Sequence, residues 1–167
     1  LSRLVPVSGR FETITAVNGT MAVVDYAHTP DALENVIETI EEVRKSEQRL
    51  LVVVGCGGDR DRTKRPEMAA IAVRYASMAI FTSDNPRTEN PEAILDDMIA
   101  GCNDRRNYLR ISDRREAIRT AVALSHPGDI ILIAGKGHED YQIIGTEKHH
   151  FDDREEVRNA FATIDKR

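Results

Sequence analysis

The chain has 167 residues, a net charge of −5 and 31% charged against 41% hydrophobic residues, the balance of one soluble globular domain with a full core. Its acidic pI near 5.6 argues against a duplex nucleic-acid binder, the lack of Trp against a stacking platform for single strands, and the lack of any apolar run of roughly 20 residues against a membrane helix. Only Cys56 and Cys102 are present, in no metal-like spacing, so a disulfide framework and a cysteine zinc site are not expected and a reducing cytoplasm is. The N-terminus carries neither a signal-peptide pattern nor an initiating Met, which suggests a piece of a longer chain.

In chain order, the apolar run 20–25 is expected to be a short strand. A helix follows, with Thr29 as N-cap, Pro30 in its first turn and Leu33, Val36, Ile37 and Ile40 on one face. Residues 50–54 are continuous and β-branched, as in a strand buried on both faces, and a helix is expected from Lys64 to Ala76. Residues 78–82 repeat the strand pattern. The third helix opens at Asn90-Pro91, turns Ile94, Leu95, Met98 and Ile99 inward and stops at Gly101. A shorter strand over 108–111 leads to a helix near Ser112, where Asp113 and Glu116 have capping-box spacing. The apolar run 130–134 is the last buried strand, and 153–164 the last helix, with Val157, Ala160, Phe161 and Ile164 on one side. Strands alternating with helices predict a Rossmann-like, doubly wound α/β domain with a mostly parallel sheet flanked by helices.

In such a sheet ligands bind beyond the carboxyl ends of the strands. Four unusual segments fall there: 25–30 with Asp25 and His28; 55–62 with three glycines and Arg60; 83–87 with Asp84, Asn85, Pro86 and Arg87; and 135–140 with Gly135, Lys136, His138 and Glu139. Interleaved arginines and carboxylates suit a zwitterion better than a pure phosphate or metal ligand. Each segment has a plainer reading as a strand end or turn. The glycine run departs from the dinucleotide fingerprint at Arg60, and Gly135-Lys136-Gly137 departs from a P-loop at Ile130 and Gly137. The adjacent His149 and His150 read as a surface turn. Asp152-Asp153 with Glu155-Glu156 reads as helix capping and dipole complementation, and Cys56 as a small residue in a tight turn.

Taken together, residues 24–31, 55–60, 84–87 and 135–139 resemble, in order and approximate spacing, the C-terminal domain of Mur ligases, most closely those that add 2,6-diaminopimelate. The resemblance covers essentially the whole chain. It implies that residues 1–167 are the third domain alone, with 1–11 a remnant of the interdomain connection and the UDP-sugar and central ATPase domains absent. Such enzymes use ATP and Mg2+, bound mainly by the central domain, to turn a carboxylate into an acyl phosphate that an amine then attacks. The isolated domain is therefore expected to be inactive and to contribute no metal ligand. The resemblance implies a place in cytoplasmic peptidoglycan synthesis, with meso-diaminopimelate, ATP and the UDP-MurNAc-dipeptide as partners and no nucleic acid or membrane. Arg60, Asp84, Asn85, Pro86, Arg87, Gly135 and Glu139 match the family's diaminopimelate contacts; Arg10, Asp25 and His28 match residues turned towards ATP. Arg87 suits the distal carboxylate that L-lysine lacks. A lysine-adding ligase and a stand-alone docking module are the alternatives. Lys136, His138 and Cys56 are left without a role.

Overall fold

The computed structural model describes residues 9–166, so most of the interdomain remnant expected over 1–11 lies outside the described residues. Within them the chain builds β1 (Glu12–Thr15), β2 (Met21–Asp25), α1 (Pro30–Val43), β3 (Leu50–Cys56), α2 (Lys64–Tyr75), β4 (Met78–Ser83), α3 (Pro91–Ile99), β5 (Tyr108–Arg110), α4 (Arg114–Leu124), β6 (Ile130–Ala134), β7 (Tyr141–Ile144), β8 (Glu147–His150) and α5 (Asp153–Asp165). Six strands form one sheet in the order β1-β2-β6-β3-β4-β5, and β7 and β8 form a separate hairpin. Of the six, β1 runs antiparallel to its neighbour and the others are parallel.

From β2 the chain crosses to β3 and moves outward to β4 and β5. It then returns through α4 to insert β6 between β2 and β3. That reversal puts α1, α2 and α3 on one face and α4 and α5 on the other. The central strands β3 and β6 are buried along nearly their whole length because both faces are covered, which is why they read as unbroken apolar runs. Helix starts follow their chemistry. Thr29, Asn90, Asp113 and Asp152 each accept a backbone N–H from the first turn of the following helix, and Pro30 and Pro91 fill positions with no N–H to satisfy. On α1 the inward residues are Leu33, Val36, Ile37 and Ile40, as the periodicity predicts. The third helix ends at Ile99, two residues before Gly101.

Two features differ from the sequence reading. Strand β1 pairs with β2 across an Asn18-Gly19 turn, with Gly19 at φ +93°. Residues 141–150, of which only His149-His150 has a sequence reading, as a surface turn, form the β7–β8 hairpin around Gly145-Thr146. The parallel register sets the level of the strand ends: Asp25 and Val54 both pair with Ala134, and Cys56 pairs with Ser83. The four carboxyl ends stop together, so the four segments after them share one edge.

Candidate functional site

That edge encloses a cavity of about 370 Å³. Arg60, Asp84, Asn85, Arg87, Gly135 and Glu139 all line it, with His28 at one end. Pro86 does not; it is buried, its carbonyl lies under Gly58, and it lines a shallow groove behind the loop. Arg10 and Asp25 also lie outside the cavity wall.

The segments 55–60 and 84–89 are braced against each other. Gly58 N donates to the Asn85 carbonyl (2.8 Å), Asp59 accepts from Thr88 N (3.2 Å), and Asp59 N donates to Glu89 (2.7 Å). A side chain on Gly58 would place its Cβ 1.8 Å from the Pro86 carbonyl oxygen, so only glycine allows this approach. Behind them Arg65, buried to 1% exposure, holds Glu89 with two hydrogen bonds, Asp97 with one and the Gly57 carbonyl with another. Its two terminal nitrogens are spent on architecture, while its buried Nε, in a side chain that also lines the cavity, has no hydrogen-bond partner among the described residues. Arg65 and Glu89 were not singled out in the sequence, since neither lies in an unusual pattern.

Arg87 is different. Its backbone adopts φ +53°, an uncommon left-handed conformation for a non-glycine residue. The β7–β8 hairpin holds it there: Arg87 N donates to Ile143 O (3.0 Å) and Gly145 N to Arg87 O (2.7 Å). Among the described residues its guanidinium donates only to the Gly58 carbonyl (3.0 Å), so most of its donors are left without a protein partner at the cavity wall. Arg60 is exposed and donates to the Asp59 carbonyl. Facing these cations are Asp84, 7% exposed, and the half-buried Glu139. Gly135, at φ +123°, has no side chain to cover Asp84; a Cβ there would stand 2.9 Å from Oδ2.

Lys136 completes the group. Its side chain is fully buried, and its Nζ donates to Asn85 Oδ1 (2.7 Å) and the Tyr141 carbonyl (2.8 Å), with Asp84 Oδ1 at 3.1 Å and Glu139 Oε1 at 3.9 Å. Burial pulls its pKa below the ordinary lysine value, against the pull of Asp84 in the other direction. The charge of Glu139 keeps the Tyr141 phenol above its usual range. Burial first, and then Asp84, push the Cys56 thiol up to about 12, so this cysteine is a wall of the cavity and not a thiolate.

At the other end, Asp25 spends both carboxylate oxygens on backbone N–H groups, those of Phe11 (2.7 Å) and Ala27 (2.9 Å). It fixes the segments that carry Arg10 and His28. His28 Nδ1 donates to the Tyr26 carbonyl (2.9 Å), since a carbonyl only accepts, and Arg10 is exposed. The acidic run near the C-terminus separates into different tasks: Asp152 caps α5 and Glu156 pairs with Arg115. Asp153 does more than complement a helix dipole; it forms a bidentate, fully buried pair with Arg114. Among the described residues no cluster of three or more His, Cys, Asp or Glu side chains is placed to hold a metal ion.

A family profile described as Mur ligase, glutamate ligase domain, matches residues 9–137. The chain belongs to the Mur ligase family. It is 57% identical over 94% of its length to the UDP-N-acetylmuramoyl-L-alanyl-D-glutamate–2,6-diaminopimelate ligase of Bacillus cereus, of which it covers 31%. The ligase of that name from Parabacteroides distasonis is 55% identical over 98% of the chain, which covers 34% of it. A solved structure of a ligase of that name superposes with a TM-score of 0.86 at 46% identity, covering 97% of this chain and 33% of the other. This Mur ligase domain therefore spans about a third of the length of those relatives. The hairpin that supports Arg87 lies beyond the stretch the family profile matches. Among the described residues no helix is long and apolar enough to cross a membrane.

Proposed function

We propose that this Mur ligase domain is the amino-acid-binding, C-terminal part of an ATP-dependent ligase that joins meso-diaminopimelate to UDP-MurNAc-L-Ala-D-Glu in peptidoglycan synthesis. The observation that carries this reading is Arg87: a cation on the cavity wall that makes one side-chain hydrogen bond among the described residues and shares that wall with two carboxylates. Diaminopimelate has an amino acid at each end. Its distal carboxylate is the partner a planar, multidentate guanidinium recognises best, and its distal ammonium suits Asp84 and Glu139. L-Lysine offers the ammonium without the carboxylate and would leave Arg87 unpaired in a confined site. The similarity to ligases named for 2,6-diaminopimelate supports the same substrate.

ATP supplies the phosphoryl group that activates the acceptor carboxylate, with Mg2+ held mainly by the central domain. The part of this chain is to hold the diamino acid so that its reacting amine meets that carbonyl, a matter of positioning more than of bond-making residues. Arg10 and His28, exposed at the end of the site, have donors and a ring nitrogen available to a nucleotide; Asp25 keeps their segments in place. The 167 residues alone are expected neither to hydrolyse ATP nor to form an amide.

The test is amide synthesis by the protein containing all three domains, offered meso-diaminopimelate and L-lysine in parallel. A strong preference for diaminopimelate is expected. Equal use of lysine would overturn the substrate assignment, and amide formation by the isolated chain would overturn the division of labour.

A further inference from the structure

The Asp84–Arg87 segment is braced by Gly58 on one side, and a second set of fastenings comes from the stretch 136–145. Lys136 Nζ donates to Asn85 Oδ1 and contacts Asp84 Oδ1. Gln142, buried, donates through Nε2 to the Asp84 carbonyl (2.8 Å), and Ile143 N donates to Asn85 Oδ1 (2.9 Å). The Arg87 backbone is paired with Ile143 and Gly145. Asn85 thus uses its side-chain oxygen on the protein, accepting from both Lys136 and Ile143.

The Lys136 contact also decides which oxygen of Asp84 is offered. Oδ1 is buried against the ammonium. Oδ2 lies on the side kept clear by the missing Gly135 side chain. The same ammonium lies 3.9 Å from Glu139. One buried cation between two carboxylates leaves a net single negative charge, the complement of one ligand ammonium. Without it, two carboxylates would face each other across a confined site and repel.

We propose that Lys136 and Gln142 are positioning residues for diamino-acid recognition: Lys136 sets the orientation of Asp84 and the net charge beside Arg87, and Gln142 fixes the backbone on which both stand. This rests on the cavity being a diaminopimelate site. Neither residue needs to touch the ligand.

The test uses the three-domain enzyme with Lys136→Met and, separately, Gln142→Met. Losing a buried charged donor is expected to raise KM for diaminopimelate on the order of 10- to 100-fold. Losing the neutral one is expected to raise it about fivefold. In both variants KM for ATP and for the UDP-linked dipeptide should stay within about twofold of the parent, because those sites are not built on this segment. A role limited to stability would lower the melting temperature and the active fraction, and with it the apparent kcat, while leaving KM for diaminopimelate at the parent value; that outcome overturns the proposal. If Lys136→Met does not fold, Gln142→Met decides the matter by the same criteria. Arg87→Ala separates this inference from the substrate assignment beneath it. If Arg87→Ala leaves diaminopimelate use intact, the substrate assignment fails. If Arg87→Ala abolishes it while both positioning variants behave as the parent, only the positioning roles of Lys136 and Gln142 fail.

Discussion

Two buried ion pairs lie at the carboxyl edge of the sheet, and they are finished to different degrees. Arg114 and Asp153 are both fully buried and joined by two hydrogen bonds of 2.8 Å, and two further Arg114 donors reach the Ser83 and Ala134 carbonyls. That pair closes on itself, tying the ends of β4 and β6 to the starts of α4 and α5. Lys136 and Asp84 are also buried, yet the ammonium takes up only Asp84 Oδ1 and leaves Oδ2 beside Gly135, Glu139 is a second carboxylate on the same ammonium, and both acids border the cavity. A buried charge whose bonds are all met internally can only hold structure. One with acceptor capacity left over at a cavity wall is poised to take a ligand cation.

Breaking the closed pair should have the largest effect, and on stability alone. Arg114→Met strands a buried carboxylate and two carbonyls, and is expected to cost about 3–5 kcal/mol in urea unfolding of the domain. If it were instead harmless to stability and selectively raised KM for diaminopimelate, the contrast between the two pairs would be wrong. Arg87→Ala should do the reverse. Loss of a guanidinium–carboxylate contact is expected to raise KM for diaminopimelate roughly 30- to 150-fold, about 2–3 kcal/mol, with stability changed by no more than about 0.5 kcal/mol. Steady-state kinetics beside a melting curve reads both.

Gly58→Ala probes the brace between the two halves of the site. Its Cβ would collide with the Pro86 carbonyl, a backbone atom that cannot swing away. A stability loss of about 1–3 kcal/mol is expected, together with a raised KM for diaminopimelate as Asp84 to Arg87 shift. The smallest effect belongs to the opposite, amino end of the sheet. Burial acts to raise the pKa of Asp129, but hydrogen bonds from His126 N, Arg49 N and the Arg49 guanidinium prevail and hold it below the ordinary 3.8. Its contribution is fully present above that ordinary value and is lost as pH falls through the lower, folded one. Unfolding measured down an acid series should therefore show a slope that Asp129→Asn flattens, with no change in diaminopimelate selectivity at neutral pH.

Much of this was legible in order along the chain. Apolar runs such as 50–54 and 130–134 announce strands covered on both faces, and caps such as Thr29, Asn90 and Asp113 mark helix starts because the first N–H groups of a helix need acceptors. The parallel-sheet rule then brings the four loops to one edge, and six of the seven expected pocket residues line one cavity. The missed hairpins had a signal as well: Asn18-Gly19, and Gly145-Thr146 with Gly145 at φ +63°, are turn pairs that join adjacent strands.

What the sequence determined by itself was therefore local and periodic: the element types, the sheet class and the chemical character of the edge, since these depend on neighbours within a few residues and on one well-established rule of topology. Only the tertiary structure decided which charges are spent and which remain. Arg65 and Arg87 both donate to carbonyls of the 57–58 glycine turn, yet the terminal nitrogens of the first are taken up by Glu89 and Asp97 while the second has no carboxylate partner among the described residues. Lys136 is one more cation in a loop until Asn85, 51 positions away, is seen to accept a hydrogen bond from it at 2.7 Å. Hydrogen-bond satisfaction is a property of three-dimensional neighbours, and no spacing along the chain encodes it.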